Sequence, residues 1–111
     1  MVDYFKIKYL INDCFYYEVL TNGRTYEQAA GICYEAFFEY INMGGIEAII
    51  AKSTIIMLKY RHKVRLNMSD IDSMKYIIEK ADDISERSFL NEESMEFFEE
   101  ELEFIHEKLE N

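Results

Sequence analysis

Cations are scarce in this chain. Twelve lysines and arginines stand against 22 aspartates and glutamates, a net charge of −10 over 111 residues. That balance excludes a general binder of nucleic acid or of anionic membranes, since both need a positive surface to release counterions or to meet acidic headgroups. A protein partner with a basic surface fits better, because opposite fields steer encounter. Proline and tryptophan are absent, so no prolyl kink can interrupt a helix. Cysteine is limited to Cys14 and Cys33. They lack metal-ligand spacing and, in a reducing compartment, read as small core residues on apolar helix faces. No apolar run reaches the roughly 20 residues that a bilayer span needs. The N-terminus has no charged segment followed by an apolar stretch and a small-residue cleavage site, so a cytoplasmic location is expected.

Apolar residues make up half of the chain, and 15% of it is aromatic, all tyrosine and phenylalanine. This is a globular composition, and the length suits one domain, residues 1–111, with a modest core. The densest apolar stretch runs from Gly44 to Tyr60. Wound as a helix, it places Ile46, Ile49, Ile50, Ile56, Met57 and Tyr60 on one stripe, and Ala48, Ala51, Ile55 and Leu58 on its flanks. A helix that is apolar on most faces has to be covered on most faces. The expected fold is therefore all-α, a single-domain bundle of about five helices around this central one, residues 46–61.

The other elements follow from spacing and caps. Ile7, Leu10, Ile11, Cys14 and Phe15 predict a first helix over Tyr4 to Leu20. A strand with Phe5, Ile7, Tyr9 and Ile11 on one face competes with it, but fails at Leu10 and has no hairpin partner. Thr21, Asn22 and Gly23 close that helix. Thr25 with Gln28 forms a capping box opening the second, which carries Ala29, Ile32, Cys33, Ala36, Phe37, Tyr40 and Ile41 inward up to Gly44-Gly45. That glycine pair neither follows a strand nor has the pattern of a phosphate-binding loop, so it reads as a turn. Lys59, Arg61, His62, Lys63 and Arg65 complement the carbonyl end of the central helix. Ser69 with Asp72 predicts the start of a fourth helix. A polar loop from Asp82 to Leu90 should tuck Phe89 and Leu90 inward, and Asn91 should cap the last helix.

The last helix carries Met95, Phe98, Leu102, Ile105 and Leu109 on its inner stripe, widened by Phe97 and Phe104. Glu92, Glu96, Glu99, Glu100, Glu103, Glu107 and Glu110 form its outer face. From Asn91 to Asn111, nine glutamates face one lysine, which is −8 of the total −10. Like charges at this spacing repel, and lysines are usually interspersed on a helix face with no binding role. The expected partner-binding residues are Glu96, Glu99, Glu100, Glu103 and Glu107, joined by Asp70, Asp72, Asp82 and Asp83 if the fourth helix lies alongside. Solubility alone explains many acidic faces, and that reading stays open here.

Catalytic patterns are sparse, and no enzyme activity is expected. Glu103 and His106 make one Glu-x-x-His unit, but a di-iron bundle needs a second, and Lys59 stands where His62 would require a glutamate. No metal or other cofactor is expected. No serine sits on a nucleophile elbow, and neither histidine has a local nucleophile.

A tyrosine-rich first helix, a Thr-Tyr-Glu-Gln-Ala start to the second, Phe37-Phe38 before Gly44-Gly45, a long apolar helix and an acidic helical tail form a recognisable order. Over roughly residues 1–110 it resembles the third catalogued family of immunity proteins of bacterial polymorphic toxin systems, including a Tyr-Glu-x-Ala start at Tyr26, Glu27 and Ala29. The resemblance implies a cytoplasmic, non-enzymatic protein that binds a cognate toxin domain, often a nuclease, and blocks it. Another acidic inhibitor or adaptor, such as a phage-encoded antagonist of a nucleic-acid enzyme, would share the chemistry. A small helical enzyme with dispersed residues is the third alternative.

Overall fold

The computed structural model of the chain describes residues 3–83 and 89–110. The protein is all-α, and the described residues form six helices with no strand among them: α1 (Tyr4–Leu20), α2 (Tyr26–Ala36), α3 (Phe38–Met43), α4 (Gly45–Arg61), α5 (Met68–Asp83) and α6 (Glu92–Glu110). The radius of gyration, 13.4 Å, is close to the roughly 13 Å of a compact chain of this length, so α6 lies folded back on the others. None of these helices is long and apolar enough to cross a membrane.

Helix α4 lies at the centre as its composition requires, in contact with α1, α2, α3 and α5 and, more lightly, α6. Ile46, Ile49, Ile50, Ile55, Ile56 and Leu58 are buried together, surrounded by Ile7, Ile11 and Phe15 from α1, Ala29, Ala30 and Cys33 from α2, Met74 and Ile77 from α5, and Phe98, Leu102 and Ile105 from α6. Two hydroxyls within this apolar interior, Ser53 and Thr54, donate to the Ile50 carbonyl at 3.1 and 2.7 Å. Each buried polar group is thus satisfied one turn back along its own helix.

The structure departs from the sequence expectation in three places. The second helix does not run unbroken to Met43. Phe37 leaves helical geometry (φ −107°, ψ 23°) while donating its N–H to the Cys33 carbonyl and accepting from Ile41, and α3 follows it as a separate helix packed along α4. This break turns five expected helices into six. The fourth expected helix starts two residues early and is capped by Asn67, not Ser69: Asn67 Oδ1 accepts from the Asp70 N–H and Asp70 Oδ2 from the Asn67 N–H, both at 2.9 Å. Asp82 and Asp83 belong to α5, and only residues 84–88 of the expected loop fall outside the described residues. Of its apolar pair, Leu90 is buried and Phe89 is exposed. The Thr25 capping box and the Asn91 cap form as expected.

Helix α4 ends on a Schellman motif. Val64 N–H reaches the Lys59 carbonyl and Lys63 N–H the Tyr60 carbonyl, with Lys63 in the left-handed region at φ 56°. That position is usually glycine.

Candidate functional site

The acidic face is built by α6. Asn91 Oδ1 accepts from the Ser94 N–H and fixes the start of the helix, and its inner stripe of Phe98, Leu102 and Ile105 fixes its rotation. Eight glutamates then project outward and are exposed: Glu92, Glu93, Glu96, Glu99, Glu100, Glu103, Glu107 and Glu110. At 1.5 Å per residue they line a ridge about 28 Å long. Glu96, Glu99, Glu100, Glu103 and Glu107 therefore stand where the sequence pattern placed them.

Helix α5 packs beside α6. Between them runs a groove of about 270 Å³ lined by Ile78, Ala81, Asp82, Glu99, Leu102, Glu103 and His106. It brings Asp82 alongside Glu99 and Glu103. Asp72 and Asp83 are exposed on α5 but do not line the groove. His106 Nδ1 lies 3.4 Å from Glu110 Oε1 on the same helix. Among the described residues, no group of three or more His, Cys, Asp or Glu side chains is placed to hold a metal ion.

Asp70 does not belong to this surface. It is 2% exposed and receives Lys59 Nζ on both carboxylate oxygens, at 2.8 and 2.9 Å. As the third residue of α5, Asp70 accepts from the Asn67 N–H and turns its carboxylate back towards Lys59 of α4, not out to solvent. Tyr34 of α2 covers the pair, its ring 5.7 Å from Lys59 Nζ. Burial pushes the Tyr34 phenol up to about 12, and the neighbouring Asp70 carboxylate adds to the rise. One ion pair thus ties three helices together.

A second buried carboxylate was hidden in the glutamate count. Glu101 is 8% exposed and faces α1. Lys8 Nζ meets its two oxygens at 2.9 and 2.8 Å and also bonds Thr54 Oγ1 at 3.3 Å, while the Tyr4 hydroxyl donates to Glu101 Oε1. Burial, and then the charge of Glu101, hold the Tyr4 phenol far above its ordinary value. The signal was present in the sequence: Glu101 lies three residues after Phe98 and four before Ile105, on the inner stripe. This network joins α1 to α6, so one of the nine glutamates is structural.

The basic run after α4 also divides. Lys59 is consumed by Asp70. His62 stacks on Tyr26 with ring centroids 4.1 Å apart, and its Nε2 lies 2.7 Å from the Tyr16 hydroxyl. Arg61, Lys63 and Arg65 alone remain exposed, too few to form a phosphate-tracking surface on a chain of this charge. The acidic face offers an electrostatic field and a ridge that can meet a surface of opposite sign. Comparison of the chain with known protein families, with curated proteins and with solved structures finds no match.

Proposed function

We propose that this protein works by binding another protein, using the glutamate ridge of α6 to engage a basic surface on its partner. The observation that carries this reading is the exposure of eight glutamates on one 19-residue helix. Repulsion among them costs helix stability, and a partner of opposite charge would relieve it. Charge of this density raises the rate of encounter, while a few desolvated side chains set the lifetime of the complex. The biological role in keeping with this chemistry is that of an immunity protein. It would neutralise a toxin domain in the cytoplasm, a nuclease being a natural target because a phosphate-binding active site is itself basic. Asp82, Glu99 and Glu103, grouped along one groove, form the densest part of the contact, with Glu96, Glu100 and Glu107 along the ridge and Asp72 and Asp83 on the adjoining helix.

The test is to purify the full chain from its own host, identify the protein that accompanies it, and assay that protein's activity with and without an equimolar amount of the chain. The expected result is a stoichiometric partner with a basic surface, toxic when expressed alone and inactive in the complex. A partner whose activity is the same free and bound would overturn the neutralising role. A partner with an acidic surface would overturn the reading of the ridge.

A further inference from the structure

Helices α1 and α2 pack against each other, and each carries one of the chain's two cysteines on its packed side. Cys33 of α2 is fully buried, and its thiol donates to the Ile11 carbonyl of α1 at 3.7 Å. A helical side chain leans back over the turn that precedes its own Cα, so the Cys14 side chain lies over the turn that holds Leu10 and Ile11. The Cys33 sulfur therefore touches α1 at the level of the Cys14 side chain. The electrostatics agree with that placement. Burial pushes the Cys33 thiol well above its ordinary value, and the adjoining Cys14 thiol, through its charge and a hydrogen bond, adds to the rise, as does Glu18 one turn further along α1. The pair is asymmetric: Cys14 is half-buried at the edge of the core and within reach of solvent, whereas Cys33 is sealed behind it. Either cysteine alone is an ordinary core residue. Two thiols on facing helices, one accessible and one shielded, make a dithiol that an oxidant can close.

We infer that Cys14 and Cys33 form a reversible disulfide, a clip between α1 and α2 that closes when the chain meets hydrogen peroxide and opens when it meets small thiols. Cys14 reacts first because it is the one the oxidant can reach. Its sulfur attacks one oxygen of the peroxide, the O–O bond breaks, and Cys14 becomes a sulfenic acid while the second oxygen leaves as water with the thiol proton. The Cys33 sulfur then attacks the sulfenic sulfur. The S–S bond forms, the S–O bond breaks, and the hydroxyl leaves with the Cys33 proton as a second water. Two thiols and one peroxide thus give one disulfide and two waters. Two small thiols reverse the change through a mixed disulfide, restoring both cysteines and leaving as a disulfide of their own. Cys33 holds its proton tightly, so the second step is the slower one and quickens at alkaline pH, since the attacking species is the thiolate. The clip brackets the turn of residues 21–25 that joins the two helices. It does not depend on the reading of α6 as a binding face.

The test treats the full chain with a molar excess of hydrogen peroxide at mildly alkaline pH, stops the reaction with catalase, unfolds the product in N-ethylmaleimide and maps its peptides by mass. The expected product is a monomer in which neither cysteine carries maleimide and the peptide holding Cys14 is joined to the one holding Cys33, two hydrogens lighter than the two together. Dithiothreitol added before the maleimide should return both thiols. In Cys14→Ser, with an unchanged circular dichroism spectrum, Cys33 should lose its thiol at least tenfold more slowly, because the accessible partner is gone. In Cys33→Ala, dimedone should trap the Cys14 sulfenic acid in at least tenfold greater yield than in the native chain, where Cys33 consumes it. Should Cys33→Ala fail to fold, the peptide map and Cys14→Ser decide the matter. Cys14 carried on to the sulfinic acid while Cys33 still takes up maleimide would overturn the proposal. A disulfide between the Cys14 residues of two chains would overturn it as well, and so would survival of both thiols in the treated chain, or loss of the Cys33 thiol as fast in Cys14→Ser as in the native chain.

Discussion

Replacing Asp70 by alanine should destabilise the fold by about 4 kcal/mol. The substitution strands the Lys59 ammonium, only 7% exposed, in a site where both of its short contacts are to the lost carboxylate. Removing one partner of a buried ion pair typically costs about 3–5 kcal/mol, because the other charge is left desolvated and uncompensated. Asp70 also accepts from the Asn67 N–H at the start of α5, and losing a helix-start acceptor costs up to about 1 kcal/mol more. Total stabilities of single domains are about 5–15 kcal/mol, so the variant should sit near the edge of folding. Urea unfolding followed by circular dichroism measures this directly. With an m-value of about 2 kcal/mol/M, a 4 kcal/mol loss lowers the midpoint by about 2 M. A companion double variant, Lys59→Met with Asp70→Leu, removes both charges and should recover most of the loss, since apolar replacements of buried pairs are often neutral or better. A loss below 1 kcal/mol in Asp70→Ala, or a double variant no more stable than the single one, would refute the buried pair and return Asp70 to the surface.

Alkaline stability should fall steeply above pH 10. Cys33, Tyr4 and Tyr34 all have acidities weakened chiefly by burial, so the folded chain keeps protons that the unfolded chain releases from their ordinary values of 9.0 and 10.0 upward. The unfolded state then binds fewer protons, and stability drops by about 1.4 kcal/mol per pH unit for each group. It is fully present below pH 9 and is lost as the pH climbs towards 12. Tyr34→Phe should make the slope between pH 10 and 12 shallower by about one group's share, and an unchanged slope would mean that Tyr34 ionises freely in the fold. Lys63→Gly relieves a left-handed backbone at φ 56° and should raise stability by up to about 1 kcal/mol, whereas a loss would mean that the lysine side chain contributes there. Ile50→Asp puts a carboxylate at a fully buried position and should cost several kcal/mol, so native-like unfolding of that variant would remove α4 from the centre.

The helices were legible where period and cap agree. Thr25 with Gln28, Asn91, the glycine pair and the stripe of α6 each combine an apolar repeat with a chemical stop or start. The break at Phe37 was not legible, because nothing in Glu35-Ala36-Phe37-Phe38 disfavours a helix. The turn arises from packing Phe37, Tyr40 and Ile41 against the rest of the core, which is a tertiary effect. The start of α5 is ambiguous in the sequence because Ser69 with Asp72 has the same spacing as the capping pair that forms, Asn67 with Asp70, and both pairs satisfy the local rule. At the binding face, an outward glutamate could be told from an inward one by helical phase, which would have singled out Glu101. Asp70 could not be separated in this way, since its burial depends on Lys59 reaching across from another helix.

If the glutamate ridge of α6 captures a basic partner, as proposed, the rate of association at low ionic strength should depend on it. With the partner that accompanies the chain from its host, stopped-flow mixing should be run on the native protein and on the variant carrying Glu96→Lys, Glu100→Lys, Glu103→Lys and Glu107→Lys. Electrostatic steering contributes roughly 10- to 1,000-fold to such rates, so the variant should associate at least tenfold more slowly while keeping its helical spectrum, with the difference shrinking as salt is added. An association rate unchanged by the four substitutions at low salt would mean that the partner binds elsewhere than on the α6 ridge.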